Sequence, residues 1–158
     1  MKEKNKDIIF VPLSTSKQFK LAVRNITTNG LLKCDDKYVY LKVDDKFILE
    51  LFPLLKYDCI SLPPYFSQPY NIGAHITVIY KEEMQPESIK KNINNLFNFE
   101  VGCLHIATAD RKKFLVLKVK CPTLERFRLT NNLPKYPIYH GYSVQFHITI
   151  AVNANISL

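Results

Sequence analysis

Apolar and polar positions change period several times along the chain, and each change marks an element. Residues 8–13 form a short apolar run of strand type. Ser14 and Ser16 then offer N-caps to a helix carrying Phe19, Leu21, Ala22, Val23 and Ile26, which Asn29-Gly30 ends. Residues 38–43 and 47–52 alternate around a polar turn at 44–46 and predict a hairpin. Pro53, Pro63, Pro64 and Pro69 make most of 53–72 loop, with a brief apolar stretch at 59–62. Residues 73–80 read as a strand. Pro86 opens an amphipathic helix of about three turns through Ser88, Ile89, Ile93, Leu96 and Phe97. Two strands follow at about 99–107 and 114–121, joined by the polar turn 110–113. Pro122 opens a second short helix through Leu124, Phe127 and Leu129, stopping at Asn131-Asn132 before Pro134. The loop 134–141 leads into a last strand at 143–152. Interleaved helices and hairpin-linked strands predict an α+β fold with a mainly antiparallel sheet, in a single domain over residues 1–158.

Composition narrows the class. At 158 residues, 47% hydrophobic and 23% charged, the chain suits one packed core and excludes disordered, collagen-like and coiled-coil classes. A net charge of +8 favours an anionic partner and predicts a basic groove to receive it. Cys34, Cys59, Cys103 and Cys121 are scattered, with no Cys-x-x-Cys and no histidine at metal-ligand spacing, so no metal is expected. They read as reduced thiols, most of them buried. The apolar run after the charged N-terminus is too short for a signal-peptide core, and none approaches a membrane span. The expectation is a cytoplasmic monomer without a membrane partner.

One short pattern occurs twice: His75-Ile76-Thr77 and His147-Ile148-Thr149, each inside a strand. Side chains alternate along a strand, so His and Thr of each copy share a face, about 6.6 to 6.8 Å apart along the backbone. Ala74, Ile76, Val78 and Tyr80 take the opposite, core face in the first copy, as Phe146, Ile148, Ile150 and Val152 do in the second. Each strand therefore shows an imidazole and a hydroxyl on one side and an apolar surface on the other.

That pairing suits phosphodiester cleavage. A neutral imidazole takes a proton from an attacking water or hydroxyl while a protonated one gives a proton to the leaving oxygen. The two threonine hydroxyls can donate to non-bridging phosphate oxygens and hold phosphorus between the rings. No metal or other cofactor is needed. The alternative is a catalytically silent nucleic-acid- or nucleotide-binding module of the same fold, although such a module has no need of paired His and Thr.

At these residues the chain resembles the 2H phosphoesterase superfamily, defined by two His-x-Thr motifs on central strands of two pseudo-symmetric lobes. The order of elements over 73–152 is also similar to the family's, and the stretch 38–79 looks most like its RNA-repair-associated branch. The resemblance implies two lobes of mainly antiparallel sheet with flanking helices around a central groove, and His75, Thr77, His147 and Thr149 as catalytic residues. It implies a metal-independent hydrolase, a phosphodiesterase acting where a ribose 2′ oxygen is esterified: a 2′,3′-cyclic phosphate, a 2′-5′ linkage or a cyclic nucleotide. Its partner would be an RNA end, an oligonucleotide or a small nucleotide.

Substrate-stacking candidates lie in the loops before each motif: Tyr65, Phe66 and Tyr70 before the first, Tyr136, Tyr139 and Tyr142 before the second. Tyr80 and Phe146 are assigned to the core by alternation. His105 receives no catalytic role, and His140 is placed on the surface near the groove rim. Lys118 and Lys120 share a strand face with Phe114 and Val116, within reach of an anionic ligand.

Overall fold

The computed structural model describes residues 6–66, 72–83, 85–109 and 111–153, with the side chains of Lys6 and Tyr65 excepted. Strands β1 (Lys6–Asp7) and β2 (Ile9–Pro12) precede helix α1 (Lys17–Arg24), which Ser16 caps by accepting from the Phe19 amide at 3.1 Å. A hairpin follows, β3 (Asn29–Asp35) and β4 (Tyr38–Lys42), turned at Asp36 with φ of 56°. Then come α2 (Lys46–Leu49), a 3₁₀ turn at Phe52–Leu54, β5 (Ile60–Ser61), a second 3₁₀ turn at Pro64–Phe66, and β6 (His75–Ile79). The second half holds α3 (Ile89–Asn92), β7 (Leu96–Asn98), β8 (Glu100–Ala109), β9 (Lys112–Lys120), α4 (Pro122–Thr130), β10 (Ile138–Tyr139), β11 (Tyr142–Ser143) and β12 (His147–Asn153).

Nine strands form one antiparallel sheet in the order β2-β8-β9-β12-β6-β4-β3-β7, with β5 added to the end of β12. The two motif strands sit side by side at its centre. Each half consists of a hairpin and a motif strand: β3-β4-β6 on one side, β8-β9-β12 on the other. The outer strands are exchanged. β2, which precedes the first hairpin in sequence, edges the second half, and β7, which precedes the second hairpin, edges the first. The predicted pseudo-symmetric halves are thus parts of one continuous sheet, tied together at its edges as well as at its centre. Helical residues Phe19, Phe47, Ile48, Ile89 and Leu124 join Leu32, Leu41, Ile76 and Ile148 in a single core. β1, β11 and β10 form a second, small sheet.

Four sequence expectations are corrected, three about secondary structure and one about the burial of the cysteines. The first hairpin pairs 29–35 with 38–42, and 46–49 is a helical turn that buries Phe47 and Ile48. Helix α1 ends at Arg24, so Asn29-Gly30 opens a strand rather than closing a helix. The helix expected through Phe97 shrinks to Ile89–Asn92, because Ile93 turns extended, Asn94 takes a φ of 69°, and 96–98 pair with the free edge of β3. A strand edge that needs a partner overrides a weak helical period there. Cys34, Cys59 and Cys103 are exposed and Cys121 alone among the four is buried. Cys34 lies near the hairpin end, Cys59 in a turn with φ of 62°, and Cys103 at a register shift in β8, so none of the three sits at a core-facing position in the regular interior of a strand. No described helix is long and apolar enough to cross a membrane.

Candidate functional site

The two motifs meet through β6 and β12, which pair antiparallel at Ile76 and Ile148. In this register each histidine lies level with the other motif's threonine, and the two histidines are diagonal neighbours, typically about 7 to 8 Å apart between backbone positions. Both isoleucines are fully buried beneath, so His75, Thr77, His147 and Thr149 all face the other side. There they line one cavity of about 190 Å³.

Each motif strand then breaks its alternation at the same place. In β6 the register to β4 passes from Thr77 to Ile79, leaving Val78 unpaired, and in β12 the register to β9 passes from Thr149 to Ala151, leaving Ile150 unpaired. These are β-bulges three residues after each histidine. Val78 and Ile79 are both buried, as are Ile150 and Ala151, and the following positions swing to the motif face. Tyr80 and Val152, expected on the core face, therefore line the cavity.

His75 is held from behind. Its Nδ1–H donates to the Gly73 carbonyl at 2.7 Å, which leaves Nε2 as the acceptor facing the cavity. Gly73 has a φ of 72°, and a Cβ there would collide with the Asp45 carboxylate, so the position requires glycine. Asp45 accepts from the Ala74 amide at 3.0 Å and from the Lys42 ammonium at 2.6 Å, and Lys42 also donates to the Ala74 carbonyl at 3.1 Å. This network fixes the backbone entering β6. On the cavity side the Tyr38 hydroxyl lies 2.9 Å from His75 Nε2 and also bonds Thr77 Oγ1. Burial, reinforced by the His147 and Lys42 charges and partly offset by the bond to Gly73, pushes the His75 imidazole down to about 4.

His147 repeats this geometry with different neighbours. Its Nδ1–H donates to the Gln145 carbonyl at 2.8 Å, again two residues back. The Phe10 ring, brought by the exchanged strand β2, lies 6.2 Å from the imidazole, and the Lys118 ammonium sits 4.8 Å above that ring. Burial lowers this imidazole's proton affinity as well. As a residue His147 is half-buried where His75 is only 7% exposed, yet burial of the imidazole is the leading cause of the lowered proton affinity in both.

Of the aromatic residues singled out in the loops, Tyr139 lines the cavity and packs 5.0 Å from Tyr80. Phe66 packs against the core, and Tyr136 does so too, edge-on to Phe146 at 5.7 Å, with its hydroxyl on Glu125. Both anchor their loops. Tyr142 pairs with Tyr139 and Lys6 in the small sheet. Tyr70 and the side chain of Tyr65 lie outside the described residues. Phe146 is buried, as alternation indicated. His105 faces Phe10 at 6.3 Å, and His140 adjoins a second cleft beside Tyr38, Tyr80 and Tyr139.

Sequence reasoning missed Tyr38, Phe10 and Phe114, which line the cavity from three other strands. Tyr38 and Tyr40 alternate with Val39 and Leu41, a signal that they share a face, but nothing in the sequence gives the register of β4 on β6. The expected basic groove is corrected too. The described lining contains no lysine or arginine; its cations stand off, Lys118 against Phe10 and Lys81 in the neighbouring cleft. Long charged side chains stay at the sheet surface because burying an unpaired ammonium is expensive. Among the described residues no three His, Cys, Asp or Glu side chains gather as metal ligands.

Two imidazoles and two hydroxyls thus converge from neighbouring strands of the two halves. The family model for the Swiss Army Knife 2H phosphoesterase domain matches residues 39–156, about three quarters of the chain and both motifs. The chain belongs to the 2H phosphoesterase family, whose activity at large is phosphodiester chemistry. That match does not carry the narrower likeness to the RNA-repair-associated branch. No curated protein and no solved structure matches the chain.

Proposed function

We propose that this protein is a metal-independent phosphodiesterase that cleaves a nucleotide or RNA phosphodiester at a ribose 2′ oxygen, with His75 and His147 as its acid/base pair. The observation that carries this reading is the convergence of His75, Thr77, His147 and Thr149 on one cavity. For a 2′,3′-cyclic phosphate, a water oxygen attacks phosphorus and gives one proton to His75 Nε2. The bond from phosphorus to one ribose oxygen breaks, and that oxygen takes the proton carried by His147 Nε2, leaving a phosphomonoester. Exchange with solvent resets both rings. His75 suits the base because burial keeps it neutral near pH 7, with its Nδ1–H already committed to Gly73. His147 is then the acid, its imidazolium stabilised by the negative charge of the substrate phosphate once that is bound. Thr77 and Thr149 donate to the non-bridging oxygens, and Tyr80 and Tyr139 offer flat surfaces for a base.

A screen of the purified protein, with excess chelator, against 2′,3′-cyclic nucleotides, 2′-5′ oligoadenylates and cyclic dinucleotides tests the reading. Turnover of at least one class that the chelator does not abolish is expected. Undiminished turnover in the His75→Ala/His147→Ala double variant would overturn the assignment.

A further inference from the structure

Among the described residues, a tyrosine hydroxyl of the cavity bonds the first motif and has no counterpart at the second. Tyr38 begins β4 and directs its hydroxyl to His75 Nε2 at 2.9 Å and to Thr77 Oγ1, the two polar atoms of the first motif. At His147 the neighbouring ring is Phe10, which has no hydroxyl. The Tyr38 ring is walled by Tyr40, stacked at 5.6 Å, and by Tyr80 at 6.2 Å.

An imidazole whose Nδ1 carries the proton has one lone pair, on Nε2. With Nδ1–H given to the Gly73 carbonyl, that lone pair is the only means by which His75 can take a proton, and the phenol occupies it. If His75 were instead the acid, its Nε2–H would meet the same oxygen. In either role the reacting oxygen of a substrate needs the place where the Tyr38 oxygen stands.

We propose that the Tyr38 hydroxyl is a displaceable stand-in for the reacting water or ribose hydroxyl, capping His75 in the free protein and giving way when substrate enters. This rests on the phosphodiesterase reading for its substrate, but not for the contact itself. The phenol has somewhere to go, because Tyr38 also borders a second cleft, lined with it by Tyr80, Tyr139 and His140, that Thr77 does not line. A nucleobase entering between those rings meets the Tyr38 ring on the way to the phosphate position. Exchange of one hydroxyl for another leaves His75 and Thr77 hydrogen-bonded throughout, so the site is poised without holding a bare buried acceptor. The cap thereby selects ligands that bring a hydroxyl or water to phosphorus.

The test is Tyr38→Phe, which keeps the ring and removes the oxygen. In the free protein, long-range proton–nitrogen correlation spectra should show the His75 Nε2 resonance moving toward that of an unbonded acceptor, while that of His147 stays. Titrating the wild type with a nucleoside 2′-phosphate should perturb the same His75 resonance through loss of the phenol bond. On a substrate that the wild type turns over, kcat/KM of the variant should rise about three- to tenfold, mainly through KM. The acidic limb of its pH profile should move to higher pH, because a bond donated to neutral imidazole disfavours protonation and the His147 and Lys42 charges are unchanged. A His75 resonance unaffected by the substitution, or by saturating nucleotide, would overturn the proposal, as would a tenfold or greater fall in kcat, which would make the phenol part of the reacting complex. Failure of the wild type on every substrate would instead overturn the proposed function, and the spectra would still decide the cap.

Discussion

Ile76 and Ile148 are the pair through which the two motif strands meet, and each is fully buried beneath a histidine and a threonine that face the other way. The pair acts as the axis of the site, because antiparallel register about one point sets His75 against Thr149 and Thr77 against His147. The two halves are therefore chemically complementary and not interchangeable, given their different surroundings. His75→Ala and His147→Ala are each expected to lower kcat by about 10² to 10⁴. Thr77→Val and Thr149→Val should lose less, since each removes one donor of several. Steady-state kinetics on whichever substrate class the screen identifies will measure both.

Acid stability should report on His75. Its ring binds protons only near pH 4 when folded, against 6.5 for the free side chain, so between those values the unfolded chain binds more protons. The contribution is therefore fully present above pH 6.5 and is lost as pH falls toward 4, a difference of order 2 kcal/mol by pH 5. Urea unfolding at pH 7.5 and 5 should show a larger loss in the wild type than in His75→Gln.

Tyr80 and Tyr139 pack at 5.0 Å on the rim shared by the cavity and its neighbouring cleft. Base stacking on an aromatic side chain contributes about 1 to 3 kcal/mol. Tyr139→Ala should accordingly raise KM for a nucleotide substrate by roughly tenfold or more, on that scale, with a smaller change in kcat. A substrate without a base should be nearly indifferent, which separates stacking from a general loosening of the loop.

Arg128 is wholly buried and donates to Glu83, to the carbonyl of the bulged Val78 at 2.7 Å, and to the carbonyls of Pro134 and Tyr136 at 2.8 and 2.9 Å. Glu83 in turn accepts from the amides of Tyr80 and Ile138. This ion pair fastens the end of the first motif strand to the loop that carries Tyr139. Arg128→Leu should destabilise the protein by about 3 to 5 kcal/mol, because it leaves a buried carboxylate without its partner. Replacing Glu83 as well should recover part of the loss in chemical denaturation, and nucleotide KM should remain raised in the double variant because Tyr80 and Tyr139 lose their common anchor.

The site is partly legible in the sequence. Two His-Ile-Thr triplets in strands, with apolar residues at alternate positions, place histidine and threonine of each triplet on one face for purely local reasons. The long hairpin of β8 and β9 and the Pro122 helix were legible for the same reason, since turn and capping residues bound them closely. Where the reading failed, the decisive partner was distant. Residues 96–98 became a strand because β3 offers an edge, and Tyr80 turned to the cavity because Val78 is bulged against β4.

The sequence by itself determined the chemistry available: two imidazoles and two hydroxyls, each pair on one face of a strand with an apolar back. Alternation is a property of the backbone, so it needs no knowledge of what lies across the sheet. Tertiary structure decided which strands became neighbours, and hence that the triplets face one cavity and that Phe10 arrives at His147 on an exchanged edge strand. It also decided that the Tyr38 hydroxyl meets His75, and that the described lining of the cavity holds no lysine or arginine. Those outcomes depend on register and on the cost of burying charge, which are set between segments far apart in the chain and leave little trace in any one of them.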